Sequence, residues 1–265
     1  MMKLLEPPQH QKTQHVALGT AGWGLSREQQ ERFGPGDSVL QRYATRFNAA
    51  EINSSFYRPH RPATYARWAA SVQQGFRFSV KVPKAVTHTA RLRECAAPLA
   101  EFVEQVSHLG EKLGPLLVQL PPSLSFERDV VEDFFSLLHG MTLARTVCEP
   151  RHASWFTPEV DALLRDLNVS RVAADPAKVP AAAHPGGSLS MVYYRWHGSP
   201  KMYSSSYLDS QLARLAAQVQ ANSGDVWVIF DNTAVGAAVE NGLILRNLLS
   251  SAQSERQTSC QPDPK

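Results

Sequence analysis

The feature that most constrains the fold is a short apolar run that ends in polar or charged residues and recurs in alternation with helical patterns. It is clearest in Ala144–Trp155, ARTVCEPRHASW, where the apolar run stops at Pro150. Strands that alternate with helices form a parallel sheet, whose carboxyl ends lie along one edge. The pattern therefore predicts a site at that edge. Equivalent runs end at Asn53, Lys81, Gln119, Asp175, Arg195-Trp196-His197 and Asp231-Asn232.

Eight strands are predicted from apolar runs and period-two alternation. They cover Val16–Trp23, Ala49–Tyr57, Arg77–Pro83, Pro115–Leu120, Arg145–Glu149, Ser170–Asp175, Met191–Trp196 and Val226–Phe230. Helices are predicted from apolar residues at helical spacing and from capping signals. They cover Val39–Phe47, Pro62–Val72, Pro98–Leu113, Asp129–Leu138, Pro158–Leu167, Leu208–Gln220 and Ala234–Leu249.

Eight strand-helix units indicate an α/β protein that closes as a TIM-like (β/α)8 barrel, with an open doubly wound sheet as the rival. The 265 residues suit one such barrel, which typically needs about 250. We expect a single domain over 15–250, a flexible lead-in over 1–14 and a disordered tail over 251–265. A loop over Ala181–Ser188 replaces one helix near 176–190, and Leu25–Asp37 is also a loop.

Composition narrows the class of protein. Hydrophobic residues make up 43% of the chain and charged residues 19%, which indicates a globular protein. The apolar runs are shorter than the roughly 20 residues that span a bilayer, and the start of the chain lacks a signal-peptide pattern, so a cytoplasmic location without membrane contact is expected. The three widely spaced cysteines, Cys95, Cys148 and Cys260, do not suit a disulfide framework or a zinc site. A net charge of +3 permits an anionic partner without requiring one.

Several motifs, in order and at their spacings, resemble the YecE-like family, also called domain of unknown function 72. The resemblance runs from Val16 to Leu249 and implies a TIM-like barrel, but it does not imply a reaction. The matching segments are GTAGW (19–23), EINSSFY (51–57), FSVKVP (78–83), Thr87–Leu92, EKLGPLLVQLPPS (111–123), CEPRHASW (148–155), YYRWHG (193–198) and IFDNT (229–233).

The chain departs from the family pattern at two places. An aromatic-rich segment ending in Phe-Tyr-Pro usually follows the first glycine turn, whereas this chain has LSREQQERFGP over Leu25–Pro35. The family favours Asn-Asn after the last strand, where this chain has Asp231-Asn232. The aspartate adds a charge at the barrel mouth, which would serve as a metal ligand or general base, or would weaken an anion site.

Charged residues at strand ends are the candidates for chemistry, because a lysine or arginine inside an apolar strand is costly unless it is paired or solvated. Lys81, Arg151 and Arg195 would bind an anionic group. Each acid–base candidate also has a purely structural reading. Glu149 would form a salt bridge with Arg151, His197 would be a structural hydrogen-bonding residue, and Asp231 would cap the next segment. The predicted catalytic residues are Glu149, His197 and Asp231.

Polar and aromatic side chains near the same edge are predicted to orient or stack on the ligand. Asparagine and glutamine amides can orient a ligand, whereas any one aromatic residue more often packs in a core. Interleaved with the basic residues, the aromatic ones resemble a surface that stacks bases or sugars. The predicted ligand-binding residues other than the cations are Trp23, Asn53, Tyr57, Gln119, Trp155, Asp175 and Asn232.

Three functions fit these residues. The first is binding of a phosphate-bearing ligand, either a small molecule or a single-stranded nucleic acid, with acid–base hydrolysis or isomerisation if the protein is an enzyme. The second is a non-catalytic binding or regulatory module. The third is a metal-dependent phosphoesterase or isomerase that uses Glu51, Glu149, Asp175, His197 and Asp231. HxH and HExxH spacings are absent from the sequence, so no metal or cofactor site is predicted. Ser-His-Asp order, GxSxG and a P-loop are also absent.

Overall fold

Short strands alternate with helices along most of the chain. In the computed structural model residues 15–258 are described, with side chains described as far as Ser251. The strands are β1 (Val16–Thr20), β2 (Ala49–Ile52), β3 (Arg77–Lys81), β4 (Leu113–Gln119), β5 (Thr146–Glu149), β6 (Val169–Arg171), β7 (Ala173–Asp175), β8 (Gly186–Gly187), β9 (Met191–Trp196) and β10 (Asp225–Phe230).

Amphipathic helices follow most strands and cover them on the outside. Pro62 and Pro158 each occupy a first helical turn, where a missing N–H costs little. Among residues 15–258, no helix combines the length and the apolar character that a membrane span needs. The α-helices are α1 (Arg27–Gln30), α2 (Val39–Ala44), α3 (Pro62–Ala70), α4 (Ala96–Ser107), α5 (Arg128–Met141), α6 (Pro158–Asp166), α7 (Asp209–Gln220) and α8 (Ala237–Thr258).

The strands form two parallel sheets that together make the predicted TIM-like barrel. One sheet has the order β2-β3-β4-β5-β6-β8 and the other the order β1-β10-β9-β7, with only the short β8 antiparallel to its neighbour. Residues 169–175 link the sheets on one side, because β6 pairs with β5 and β7 pairs with β9. A parallel bridge between Ala21 and Glu51 links them on the other side.

Side chains replace most of the backbone ladder at the seam between β1 and β2. The amide of Leu18 donates to Asn48 Oδ1, and Asn48 Nδ2 donates to the carbonyl oxygen of Val16, both at 2.8 Å. Asn48 therefore satisfies one donor and one acceptor of β1 that a neighbouring strand would otherwise satisfy.

The Tyr43 hydroxyl completes the same seam nearer the carboxyl end. It accepts from the Thr20 amide at 2.8 Å and lies 3.0 Å from the Ala49 carbonyl oxygen, to which it donates. The two strands approach so closely here that a β-carbon on Gly19 would lie 1.9 Å from the Ala49 oxygen. Only glycine therefore fits at position 19, which explains the first glycine of the GTAGW motif.

The structure corrects several predicted element ends. The second strand stops at Ile52, not Tyr57, because Ser54–Phe56 forms a 3-10 helix and the Ser55 hydroxyl donates to the carbonyl oxygens of Ile52 and Lys81. The predicted loop Leu25–Asp37 contains the short α1, which Ser26 caps. The last helix continues past Leu249 to Thr258, while residues 1–14 and 259–265 of the predicted lead-in and tail lie outside the described residues.

The predicted replacement of one helix agrees with the structure. The segment 176–190 contains a 3-10 helix, Pro180–Ala183, and the short β8 in place of an α-helix, as predicted.

The polar segment after the third strand contains a π-helical turn, Ala85–Thr89, which was not predicted from the sequence. Its turn hydrogen bonds satisfy backbone groups that a plain loop would leave to water.

Strand alternation divides the core into two regions. Outward-facing strand residues such as Leu18, Val80 and Val118 pack against the helices. Inward-facing residues form a smaller apolar cluster inside the barrel, where the Tyr193 and Trp227 rings stack with centroids 6.1 Å apart. The apolar interior supports the layer above it at the carboxyl ends of the strands. The inward cluster comprises Ala17, Ala49, Leu117, Val147, Val172, Met191, Tyr193, Trp227 and Ile229.

The Asn48 side chain should be required for barrel closure. Asn48→Ala leaves the Leu18 amide and the Val16 carbonyl of β1 without partners, so we expect unfolding free energy to fall by about 2–4 kcal/mol. Urea denaturation followed by circular dichroism measures this. Asn247→Ala, on the exposed side of α8, is the control and should change stability by less than about 0.5 kcal/mol. Equal effects of the two substitutions would contradict the role of Asn48.

Candidate functional site

A buried polar layer lies directly above the apolar interior, at the carboxyl ends of the strands. Most members follow an inward-facing apolar residue by two positions, so alternation places both on the same face. The carboxyl-end face is where TIM barrels carry their sites. The layer contains Glu51 after Ala49, Lys81 after Ser79, Gln119 after Leu117, Glu149 after Val147, Arg195 after Tyr193, His197 after Arg195, and Asp231 after Ile229.

Arg195 is the centre of this layer and contacts three carboxylates. Its Nε and Nη2 lie 2.9 and 2.8 Å from the two oxygens of Glu51, a bidentate arrangement. Nη1 lies 3.2 Å from Glu149 Oε2, and Nη2 lies 3.0 Å from Asp231 Oδ2. The carboxylates come from β2, from β5 and from the residue after β10, so one guanidinium joins the two sheets.

The His197 imidazole bridges two of those carboxylates. Its Nε2 lies 2.8 Å from Glu149 Oε1 and its Nδ1 lies 2.9 Å from Asp231 Oδ2. Both ring nitrogens therefore face an acceptor, which fixes the ring plane. A histidine held between two carboxylates is able to relay a proton from one to the other.

Arg151 completes the network from the loop after β5. Its Nη2 and Nε lie 2.8 and 3.2 Å from Glu149 Oε1, and Nη2 lies 3.1 Å from His197 Nε2. Gln119 Nε2 lies 3.3 Å from the same Glu149 oxygen. Arg151 is 12% exposed at its side chain, and its Nη1 makes no hydrogen bond within residues 15–258. That nitrogen remains free to contact a ligand.

Burial and charge oppose each other in the carboxyl groups. Burial alone would raise the pKa of Glu149, but the charges of His197, Arg151 and Arg195 outweigh it and hold that pKa well below its ordinary value. Burial would likewise raise the pKa of Asp231, and Arg195 together with His197 lowers it instead. Both carboxyl groups are therefore ionised at neutral pH.

Lys81, at the end of β3, is the one buried cation of the layer without an anionic partner in the described part of the chain. It is 6% exposed, and its Nζ lies 4.1 Å from the centroid of the Phe56 ring. Burial lowers the pKa of Lys81 to about 8, and repulsion from Arg195 adds to the effect, whereas Glu51, Glu149 and Asp231 act in the opposite direction. The amine is thus close enough to the network to sense its charges without forming an ion pair.

Some residues of the site were not predicted from the sequence. Glu51 appeared only among the metal ligands, although a buried glutamate inside a strand signals a buried ionic partner. The Tyr193 hydroxyl lies 3.1 Å from Glu51 and 3.0 Å from the Ser79 hydroxyl, just beneath Arg195. Tyr203 belongs to the aromatic residues that the sequence places in the loops at this end of the barrel, and its ring meets His197 edge-on at 5.8 Å.

Three predicted aromatic ligand contacts lie outside the polar layer. Trp155 is 1% exposed, and its Nε1 donates to the Leu124 carbonyl at 2.9 Å, so it is a core residue. Trp23 packs edge-on against Trp68 at 5.0 Å. Tyr57 directly follows the 3-10 helix Ser54–Phe56 and is 76% exposed. The sequence placed all three near the rim, but packing withdraws Trp155 entirely.

Three predicted polar contacts also lie apart from the network. Asp175 pairs in register with the outward-facing Trp196 and accepts a 2.8 Å hydrogen bond from Tyr207, so it faces the helix layer. Asn232 Nδ2 donates to the Ser205 carbonyl and holds the loop after β9. The side-chain oxygen of Asn53 is buried without a partner in the described part of the protein. For these residues a ligand-binding role stays a prediction.

The carboxylates of the layer are already committed to arginine and histidine. Within residues 15–258, no group of three or more His, Cys, Asp and Glu side chains is arranged to hold a metal ion. The physical reason lies in the geometry, because Arg195 and His197 occupy the positions that face the oxygens of Glu51, Glu149 and Asp231.

Residues 17–265 match the family described as "Protein of unknown function DUF72". The chain belongs to the DUF72 family. Its curated relatives include YecE of Escherichia coli K12, which is 32% identical over 153 residues, 56% of each chain. The alignment thus spans little more than half the length of that relative. The family agrees with the one that the sequence motifs indicated.

Solved structures support the barrel. A DUF72-family protein of Thermotoga maritima MSB8 is 24% identical, and the match covers 89% of this chain and 99% of that one with a TM-score of 0.74. D-Psicose 3-epimerase of Clostridium cellulolyticum H10 is 9% identical, with 93% and 99% covered and a TM-score of 0.50. At these identities the likeness concerns the fold alone.

Replacing Arg195 should strongly destabilise the protein. Arg195→Met leaves three buried carboxylates with less compensation, so we expect a loss of about 3–5 kcal/mol of unfolding free energy at pH 7. The pKa of Glu149 and of Asp231 is lowered in the fold, so their stabilisation exists at neutral pH and disappears as pH falls through those values. The loss should therefore shrink towards pH 3 in urea titrations. Arg165→Met, at an exposed position of α6, should leave the unfolding free energy unchanged. An equal loss in that variant would contradict the role of Arg195 as the internal counter-ion.

Replacing Lys81 should have the opposite effect. Because burial depresses the pKa of Lys81 to about 8, the charged amine costs stability below that pH, and the cost disappears as pH rises towards the ordinary lysine value. Lys81→Met should therefore raise unfolding free energy at pH 7 by about 1–3 kcal/mol, with a smaller gain at pH 10. Lys84→Met, exposed and three residues away, should show no gain. A Lys81→Met protein less stable than wild type at pH 7 would refute this prediction.

Proposed function

We propose that the protein binds a small anionic, phosphate-bearing ligand at the carboxyl-end face of its barrel. The observation that carries the proposal is the Lys81 ammonium group, which is buried without an anionic partner among the described residues. Lys81 and Arg151 both lie close enough to His88 to lower its pKa. A buried cation costs free energy unless something compensates it. A ligand anion would supply that compensation and would also meet the free Nη1 of Arg151.

The charges around the mouth favour an anion. Burial lowers the pKa of His88, and the nearby charges of Lys81, Lys84 and Arg151 lower it further, so three cations act on one point of the rim. The buried carboxylates already pair with Arg195, Arg151 and His197, which offsets much of their charge. Lys81 lies outside these ion pairs and is therefore available to a ligand anion.

A small ligand fits better than a single-stranded nucleic acid. Nucleic-acid surfaces stack bases on exposed aromatic rings along a groove. Trp155 is buried and Trp23 packs against Trp68, so of the three aromatic residues predicted to stack only Tyr57, which is 76% exposed, presents an exposed ring. A single exposed ring does not make a stacking groove.

The network is also suited to acid–base chemistry. Glu149, His197 and Asp231 form a continuous hydrogen-bonded chain in which the imidazole is the middle group. Such a chain would let the imidazole relay a proton between the two carboxylates, which would exchange it with the bound ligand, and this supports an isomerase or a hydrolase. We also propose a cytoplasmic location, because Cys95 and Cys148 are free thiols and cytoplasmic proteins keep their cysteines reduced.

Thermal stability in the presence of phosphorylated sugars, nucleotides and short oligonucleotides tests the binding site. A ligand at one hundred times its dissociation constant should stabilise the wild type by about 2.7 kcal/mol. The shift should disappear in Lys81→Met and Arg151→Gln and persist in Lys112→Met, at the amino end of β4, each compared with its own unliganded protein. A shift that survives both substitutions would contradict the site.

Two further arms separate the alternatives. Oligonucleotide binding with a steep salt dependence, lost in the same two variants, would favour a nucleic acid over a small ligand. Stabilisation by Mn²⁺ or Zn²⁺ alone, without any response to phosphates, would replace the proposal by the metal-dependent reading. A ligand that binds at the site but is never converted would identify a binding module.

A further inference from the structure

We propose that Lys81 is a nucleophile that forms an imine with the carbonyl group of a substrate, which makes the ligand an anionic carbonyl compound such as a 2-oxo acid or a phosphorylated sugar. This inference rests on the proposed function, because the anionic group of the substrate would be held at Arg151. It adds a reaction and a substrate class to that site.

Lys81 differs from the other buried cations of the described residues. Arg171, which is 3% exposed, makes a bidentate pair with Asp161 and donates to two backbone carbonyls. Arg195 contacts three carboxylates. Lys81 has only the face of the Phe56 ring. A structural cation is normally surrounded by acceptors, whereas a nucleophilic amine needs a free lone pair and open space in front of it.

The surroundings of Lys81 also keep part of the amine neutral. With a pKa of about 8, roughly a tenth of the amine is unprotonated at pH 7, against fewer than one in a thousand for an ordinary lysine. Burial contributes most and repulsion from Arg195 contributes next. Desolvation and a neighbouring cation are the two means by which proteins activate lysine for attack on carbonyl carbon.

The reaction balances with groups already in the layer. The amine lone pair attacks the carbonyl carbon, and the carbonyl π electrons move to oxygen, which accepts a proton. The nitrogen then loses its protons, and the hydroxyl group leaves as water after protonation, so that amine and carbonyl give imine and one water. The hydrogen-bonded chain of Glu149, His197 and Asp231 would supply and remove these protons. The charges of both carboxylates act on Lys81, so the chain lies near the amine.

Borohydride trapping tests this reaction directly. The full-length protein is incubated with pyruvate, dihydroxyacetone phosphate or pyridoxal 5′-phosphate, then reduced and analysed by intact mass and peptide mapping. We expect one reduced adduct per chain, on Lys81, formed at least about tenfold faster than on any other lysine. The trapping rate should rise with pH and level off above about pH 8, as the neutral amine does.

Matched variants and analogues make the outcomes distinct. Lys112→Met, at the amino end of β4, should trap as the wild type does, and Lys81→Met should not. Lactate or glycerol 3-phosphate, which lack the carbonyl, should leave no adduct. If dihydroxyacetone phosphate raises the melting temperature but none of the three carbonyl probes labels Lys81 preferentially, the imine is refuted and anion binding stands. If none of the anions shifts the melting temperature and none labels Lys81, the proposed function fails as well.

Discussion

The structure depends above all on one guanidinium group. Arg195 pairs with Glu51, Glu149 and Asp231, and these contacts connect residues up to 144 positions apart in the sequence. Each carboxylate would be costly inside the barrel by itself, and Arg195 would be equally costly without them. The polar layer is therefore stable only as a complete unit, and it ties the two sheets together at the end of the barrel where the strands finish.

Because the polar layer is a complete unit, the charged groups outside its ion pairs are the candidates for a function. Arg195, Arg151 and His197 pair with the three carboxylates, whereas the ammonium group of Lys81 and the Nη1 of Arg151 remain outside these contacts. Lysine at a site that disfavours its charge lowers stability, and such a cost is typical of functional sites. Anion binding and imine formation use Lys81 in two ways. The first uses the charge of the ammonium group, and the second uses the lone pair of the neutral amine.

The site could be predicted from the sequence only as far as strand alternation reaches. Glu149, Arg195, His197 and Asp231 end apolar strands on the inward face, and they converge in the structure. Trp155 and Asp175 also follow apolar runs, but packing buries the first against Phe126 and the register with Trp196 turns the second outward. The end of a strand gives the position of a residue in the fold, whereas the partners of its side chain come from segments that are distant in the sequence.

The sequence by itself determined the class of the fold, because helical and strand periodicities are local properties of the chain, and its motifs indicated the DUF72 family. It also determined which end of the barrel is polar. Only the tertiary structure decided that Asn48 and Tyr43 close the seam, that Arg195 is an internal counter-ion, and that Lys81 lacks an anionic partner in the described part of the chain. These facts depend on distances between residues far apart in sequence, and charge pairing follows distance in space.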